Sequence, residues 1–159
     1  MTKDGPGFFL ITGGSRGIGA ACALRAARSW PVAFFYRTRT EEAHQVVRTI
    51  ERAGGTALAI QADVGDEDSL MRGFETLDKS GPLAVLVNNA GVLSSGDFGS
   101  IPVAAQHRMI DINVKGVING CHCALPYLQQ TKGARVINLA SASAIYGQPS
   151  LATYSASKF

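Results

Sequence analysis

Cysteine, charge and long apolar runs are all scarce in this chain, and each scarcity excludes a class of protein. The three cysteines, Cys22, Cys121 and Cys123, are an odd set in alanine-rich surroundings, which reads as reduced, packed thiols and not as a disulfide framework. No apolar run reaches the ~18 residues of a membrane-spanning helix, and "MTKDGPG" lacks the apolar core of a secretory leader. A cytoplasmic protein without membrane contact is therefore expected. Only 17% of residues are charged, the net charge is +3, and the basic residues are scattered without a run or interleaved aromatics. That pattern offers no footprint for nucleic acid. "CHC" at Cys121 to Cys123 does not make a metal site, since consecutive helical residues diverge in direction and the sequence has no second ligand cluster. His44 and His107 read as ordinary helix-surface residues. Repeats, linkers and low-complexity segments are absent.

What is plentiful is apolar residue and glycine: 46% and 18 residues of 159, enough for one domain, 1–159, with a real core. Apolar, β-branched stretches alternate with helical ones. Strands are expected at Phe8 to Thr12, Val32 to Tyr36, Ala57 to Ala62, Leu83 to Val87 and Arg135 to Leu139. Between them lie helices at about Ile18 to Ser29, Thr40 to Ala53 (closed by Gly54 and Gly55), "DEDSLMRGFETLDK" and Val103 to Gln130, and a last one begins near Leu151. Such alternation indicates an α/β fold, a doubly wound parallel sheet of Rossmann-like kind.

Four stretches carry chemistry. "FFLITGGSRGIGAACALRAA" runs from a strand through Gly13, Gly17 and Gly19 into a helix, an arrangement in which backbone N–H groups and the helix N-terminus can meet a pyrophosphate. The spacing differs from G-x-G-x-x-G, so a plain glycine turn is the competing reading. "LAVLVNNAG" closes a strand with Asn88 to Gly91, whose amides can tie strand ends together. Asn113 stands early in a long helical segment, where asparagine is mildly unfavourable. In "SASAIYGQPSLATYSASK", Ser141 precedes Tyr154 by thirteen residues and Lys158 follows it by four. Positions four apart share a helix face, and a neighbouring ammonium lowers a phenol pKa from about 10 by ~1–3 units, toward a usable acid or base. Solvated helices also carry such pairs, so the pair gains its weight from the other stretches.

Together, in this order, these residues resemble the short-chain dehydrogenase/reductase family, in its single-domain oxidoreductase branch, from about Phe8 to Phe159. The resemblance implies the strand order 3-2-1-4-5 and a hydride transfer between nicotinamide and a carbonyl or alcohol carbon. It implies a catalytic set of Asn113, Ser141, Tyr154 and Lys158. Tyr154 would exchange the hydroxyl proton, and Lys158 would lower its pKa and hold the nicotinamide ribose. Ser141 would bond the substrate oxygen, and Asn113 would anchor a relay water. Cofactor contacts would come from Gly13, Ser15, Arg16, Gly17, Ile18, Gly19, Arg37, Asp63 (to the adenine), Val64, Asn89, Ala90, Gly91, Tyr154 and Lys158. No metal is required.

Cofactor choice follows from "FFYRTRT". Tyr36 stands where an NAD-type site needs a carboxylate for the ribose 2′-hydroxyl, and Arg37, Arg39 and Arg16 suit a 2′-phosphate. NADP(H) is favoured over NAD(H), which points to a ketone or 3-ketoacyl reductase acting on a small-molecule carbonyl or alcohol. The wall of its pocket would include Leu93, Ile145 and Tyr146. Members of the family continue for many tens of residues, so the chain reads as a C-terminally truncated portion of a longer fold. Strand five would then be a bare edge and the helix with Tyr154 and Lys158 would fray. Two rivals stand beside this reading: a non-catalytic fragment that retains partial dinucleotide binding or subunit association, and an epimerase or dehydratase of the same superfamily. A homo-oligomer is expected of the complete protein, through the helices at Val114 to Gln130 and after Leu151.

Overall fold

Strands rich in Phe, Val, Leu and Ile cannot leave either face in water, so they stack side by side and recruit helices to both faces. In a computed structural model, which describes residues 7–159, five parallel strands do this in the order β3-β2-β1-β4-β5. They are β1 (Phe8–Thr12), β2 (Val32–Tyr36), β3 (Ala57–Gln61), β4 (Leu83–Asn88) and β5 (Arg135–Asn138). Every residue of β2 and β4 is buried. The leader-free reading of "MTKDGPG" rests on residues 1–6, outside the described residues.

One face of the sheet is covered by α1 (Gly17–Ala26) and α2 (Thr40–Arg52). Ala43, Val46 and Ile50 form the buried stripe of α2 and pack with Phe34, Val85 and Ala23. The other face is covered by α3 (Glu67–Asp78) and α5 (Gly116–Leu128), whose Leu70, Phe74, Leu77, Ala124 and Leu128 meet Leu10, Phe35 and Leu86. Phe74 joins the layers: its ring stands edge-on to Phe35 at 5.2 Å and stacks on Tyr127 of α5 at 5.7 Å. Each fully buried side chain of this size contributes about 1.5–3 kcal/mol, so the two slabs hold the sheet between them. None of the helices among the described residues is long and apolar enough to cross a membrane.

Element boundaries differ from expectation in two informative places. α1 ends at Ala26, three residues early, and the chain closes in a turn in which the Ser29 and Trp30 N–H groups both donate to the Ala26 carbonyl and Trp30 packs against Phe9. The long helical region divides into α4 (Val103–Ile110), a π-helical turn at Asp111–Lys115, and α5. In that turn the Gly116 N–H donates to the Asp111 carbonyl five residues back. A Cβ on Gly116 would stand 2.7 Å from Val64 Cγ2, so α5 reaches the loop after β3 only through glycine. The wider turn lets Asn113 face the strand ends while Gly116 packs on Val64.

β5 is the exception to burial. All four of its residues are exposed, with Val136 and Ile137 near half, and among the described residues it pairs with β4 alone. The expected bare edge is present in the structure.

Candidate active site

A doubly wound sheet opens a crevice at the carboxyl ends of its strands where the connections diverge. Here that crevice has a volume of about 630 Å³. It is lined by the glycine turn, by the ends of β2, β3 and β4, and by Ser141, Tyr154 and Lys158. Every expected cofactor residue lines it, from Gly13 to Gly91. Of the expected catalytic set, only Asn113 lies behind the wall instead of in it.

The wall is built by cross-strand bonds. Thr12, 1% exposed, accepts the Asn89 and Ala90 N–H groups at 3.0 Å each through its Oγ1. Asn89 Nδ2 returns a bond to the Thr12 carbonyl at 2.9 Å, while Asn88 Nδ2 donates to Asn138 Oδ1 at 2.9 Å and so ties β4 to β5. Gly13 has φ +72°, a conformation that side chains resist, and a Cβ there would meet Ala90 Cα at 3.1 Å. On Gly19 a Cβ would be 2.3 Å from the Gly13 carbonyl oxygen, so the turn closes on α1 only with glycine.

The start of α1 is open to an anion. Arg16 at its cap makes no side-chain bond to the helix, and no acidic residue occupies the first turn. The contrast is α3, where Asp66 caps the helix by accepting the Ser69 N–H at 3.2 Å. The first N–H groups of α1 thus lie at the crevice, and its first turn carries no carboxylate to neutralise them. These features fit the pyrophosphate of a dinucleotide: an uncapped helix start, a glycine turn, and space beside Gly17, where a Cβ would have no neighbour within 4 Å.

At the other end, Ser141 opens a 3-10 turn at Ala142–Ala144, its Oγ accepting the Ser143 N–H at 3.2 Å. α6 (Ala152–Lys158) carries Tyr154 and Lys158 one turn apart. Fraying is expected of so short a helix. Three side chains tether it: Thr153 Oγ1 donates to Gln106 Oε1 at 2.7 Å, Ser157 Oγ accepts from Asn113 Nδ2 at 2.9 Å, and Lys158 Nζ donates to the Leu139 carbonyl at 2.9 Å. Burial pushes the Lys158 ammonium below its ordinary range. Asn113 is 4% exposed and its amide also bonds both the carbonyl and the N–H of Val92, each at 2.9 Å.

Two residues that sequence reasoning passed over belong to this neighbourhood. Ser157 joins Asn113 to α6, and Arg108 of α4 reaches Asp63 at 3.0 Å. Neither had a sequence signal, because each partner lies 44 or more positions away, whereas Thr12, which joins β1 to β4, heads the glycine-turn motif. Conversely, Arg39 is drawn to Glu42 at 2.7 Å, and that guanidinium holds the Glu42 carboxyl below its usual range. Leu93 lines the crevice as expected, whereas Ile145 and Tyr146 are exposed at 80% and 56% and do not line it. The cysteines are free, Cys123 buried with its thiol pushed up by burial. Among the described residues no group of three or more His, Cys, Asp or Glu could hold a metal ion.

Known proteins share this fold. The family model for short chain dehydrogenases matches residues 8–159. The chain is 38% identical over 152 residues to 3beta-hydroxysteroid dehydrogenase 1 of Eggerthella lenta, covering 94% of this chain and 58% of that one. It is 37% identical over 160 residues to a 3-oxoacyl-[acyl-carrier-protein] reductase of Staphylococcus aureus, covering 99% and 63%. A short chain dehydrogenase of Burkholderia cenocepacia, solved in complex with NADP, superposes with a TM-score of 0.88 at 35% identity over 96% of this chain and 62% of its own. The chain thus spans about three fifths of the length of the curated relatives it matches. With the match running from β1 through α6 in sequence and in fold, the chain belongs to the short-chain dehydrogenase family.

Proposed function

We propose that residues 1–159 form the nucleotide-binding and catalytic unit of an NADP(H)-dependent oxidoreductase that interconverts a small-molecule carbonyl and alcohol, in the reductive direction a ketone or 3-ketoacyl reductase. The observation that carries this reading is the meeting of the glycine turn with Ser141, Tyr154 and Lys158 on one crevice. A nicotinamide cofactor, when bound, would supply or accept the hydride. The chain's own residues would do the rest. Tyr154 gives or takes the hydroxyl proton at its phenolic oxygen. Lys158, half-buried and held at Leu139, places a positive charge beside that helix face. Ser141 is free to donate its hydroxyl proton to a substrate oxygen, since its Oγ accepts from Ser143. The Asn113 amide is engaged by Val92 and Ser157, so its part in a proton relay falls to its backbone carbonyl in the π-helical turn.

NADP(H) is favoured by Arg37, which is 54% exposed at the crevice rim, and by Tyr36 in place of an acidic residue. The Burkholderia relative's complex with NADP agrees with this choice. Exposed Ile118 and Leu125 on α5 support a homo-oligomer of the complete protein.

The test is turnover of a ketone panel with NADPH by the protein completed beyond Phe159 and by its Tyr154→Phe variant. Loss of the phenol should lower turnover by about 100-fold or more, the usual worth of a positioned acid, with NADPH binding within about two-fold. Near-normal turnover by the variant would remove Tyr154 from the mechanism. Tight NADPH binding without turnover of any ketone would instead favour the non-catalytic reading.

A further inference from the structure

Asp63 was singled out for an adenine contact, yet its carboxylate has a second relationship that this role leaves unused. It sits between two arginines from different parts of the chain. Arg108, in the last turn of α4, places Nη2 3.0 Å from Oδ2 and 3.5 Å from Oδ1. Arg37, just after β2, holds Nη1 at 3.8 Å from the same Oδ2, too far for a hydrogen bond. Oδ1 also accepts the Gly65 N–H at 2.9 Å. The carboxylate is therefore already occupied by Arg108 and the Gly65 backbone, and Arg37 stands off from it with its guanidinium 54% exposed.

Remove Arg108, and the balance changes in two ways. The three-charge group drops from net positive to neutral, and the Asp63 carboxylate becomes free to close the remaining gap to Arg37. A guanidinium paired bidentately with a carboxylate no longer offers its fork to a phosphate. We propose that Arg108 is a positioning residue for cofactor selectivity: by holding Asp63 it leaves Arg37 available to a ribose 2′-phosphate, and so sets the preference for NADP(H) over NAD(H). The inference rests on the reading that Arg37 meets the 2′-phosphate.

The experiment titrates the full chain and its variants with NADPH, NADH and 2′,5′-ADP, by cofactor fluorescence and by calorimetry, so binding is read without turnover. Arg108→Met should weaken NADPH and 2′,5′-ADP by about 10-fold, or ~1.4 kcal/mol, and NADH by less than about two-fold. Adding Asp63→Asn to Arg108→Met should restore the ratio of NADPH to NADH affinity, because no carboxylate is left to capture Arg37. Equal losses for the three ligands, no loss at all, or a selectivity that Asp63→Asn fails to restore would each overturn the proposal. Should Arg108→Met fail to fold, Arg108→Ala and Arg108→Leu are titrated in its place with the same expectation: the NADPH-to-NADH preference falls by about 10-fold, and an unchanged preference overturns the role. Arg37→Ala separates the two levels. If it leaves the preference intact, the 2′-phosphate reading itself fails; if it abolishes the preference and Arg108→Met does not disturb it, only the present inference fails.

Discussion

Arg37 and Lys158 show how single side chains divide the work of the crevice. Arg37 lies at its rim, where its guanidinium is 54% exposed, and its own carbonyl is held by Gln61 Nε2 at 2.8 Å, so the residue starts from a fixed backbone. Arg37→Ala should weaken NADPH by about 1.5–3 kcal/mol, the worth of a charge-assisted hydrogen bond, and leave NADH nearly unchanged. Titrating both cofactors measures it, and equal losses would place Arg37 away from the phosphate. Lys158 makes a statement about pH. Burial lowers its folded-state pKa, so between that value and its ordinary 10.5 the unfolded chain binds more protons and stability rises with pH. Below the folded-state pKa the desolvation cost is present in full. Lys158→Met removes that cost, so its stability relative to wild type should be most favourable at neutral pH and decline as pH climbs toward 10.5, in paired urea titrations. A difference that stays constant across that range would mean burial does not disfavour the ammonium.

At the scale of elements, the strands and most helix starts were legible because they depend on local pattern. β2 and β4 are continuous apolar runs, and α2 and α3 begin with acids and repeat buried residues every three or four positions. The strand order was not in the pattern; it came with the family resemblance and the sheet has it. The π-helical turn and the tethers of α6 escaped for a physical reason: they answer to partners far off in sequence, Val64 for Gly116 and Asn113 for Ser157. The crevice residues themselves were found from their motifs, while Arg108 looked like any polar residue on a solvated helix. Ser157 tests the tether. It is 7% exposed, accepts from Asn113 and donates to the Tyr154 carbonyl at 2.7 Å. Ser157→Ala leaves a buried amide proton unpaired and should cost about 1–3 kcal/mol, read as a lower urea midpoint with unchanged slope. A midpoint equal to wild type would show that α6 is held without Ser157.

For the molecule as a whole, the weak place is β5. A parallel strand with four exposed residues and an unpaired edge is a template for a further strand, and Val136 and Ile137 give it apolar surface on both sides. The 159-residue polypeptide expressed alone is therefore expected to self-associate at micromolar concentration. Sedimentation velocity should show concentration-dependent species for wild type and a shift toward monomer for Val136→Lys with Ile137→Lys. Monomers at every concentration would mean the edge is protected in solution.

The bonds around Thr12 also set an order of events during synthesis. β1, β2 and β3 are contiguous and can pair as they emerge, but Thr12 must wait for Asn89 and Ala90, 77 and 78 residues later, before its hydroxyl and carbonyl find their partners. Such distant closure is slow relative to local pairing. Until it happens Gly13 lacks the Ala90 backbone beside it, and the proposed nucleotide cradle has one wall. On the proposed function, a nascent chain stopped before β4 would hold secondary structure but no nucleotide, so the cell's cofactor would reward only those chains in which the centre of the sheet has already closed.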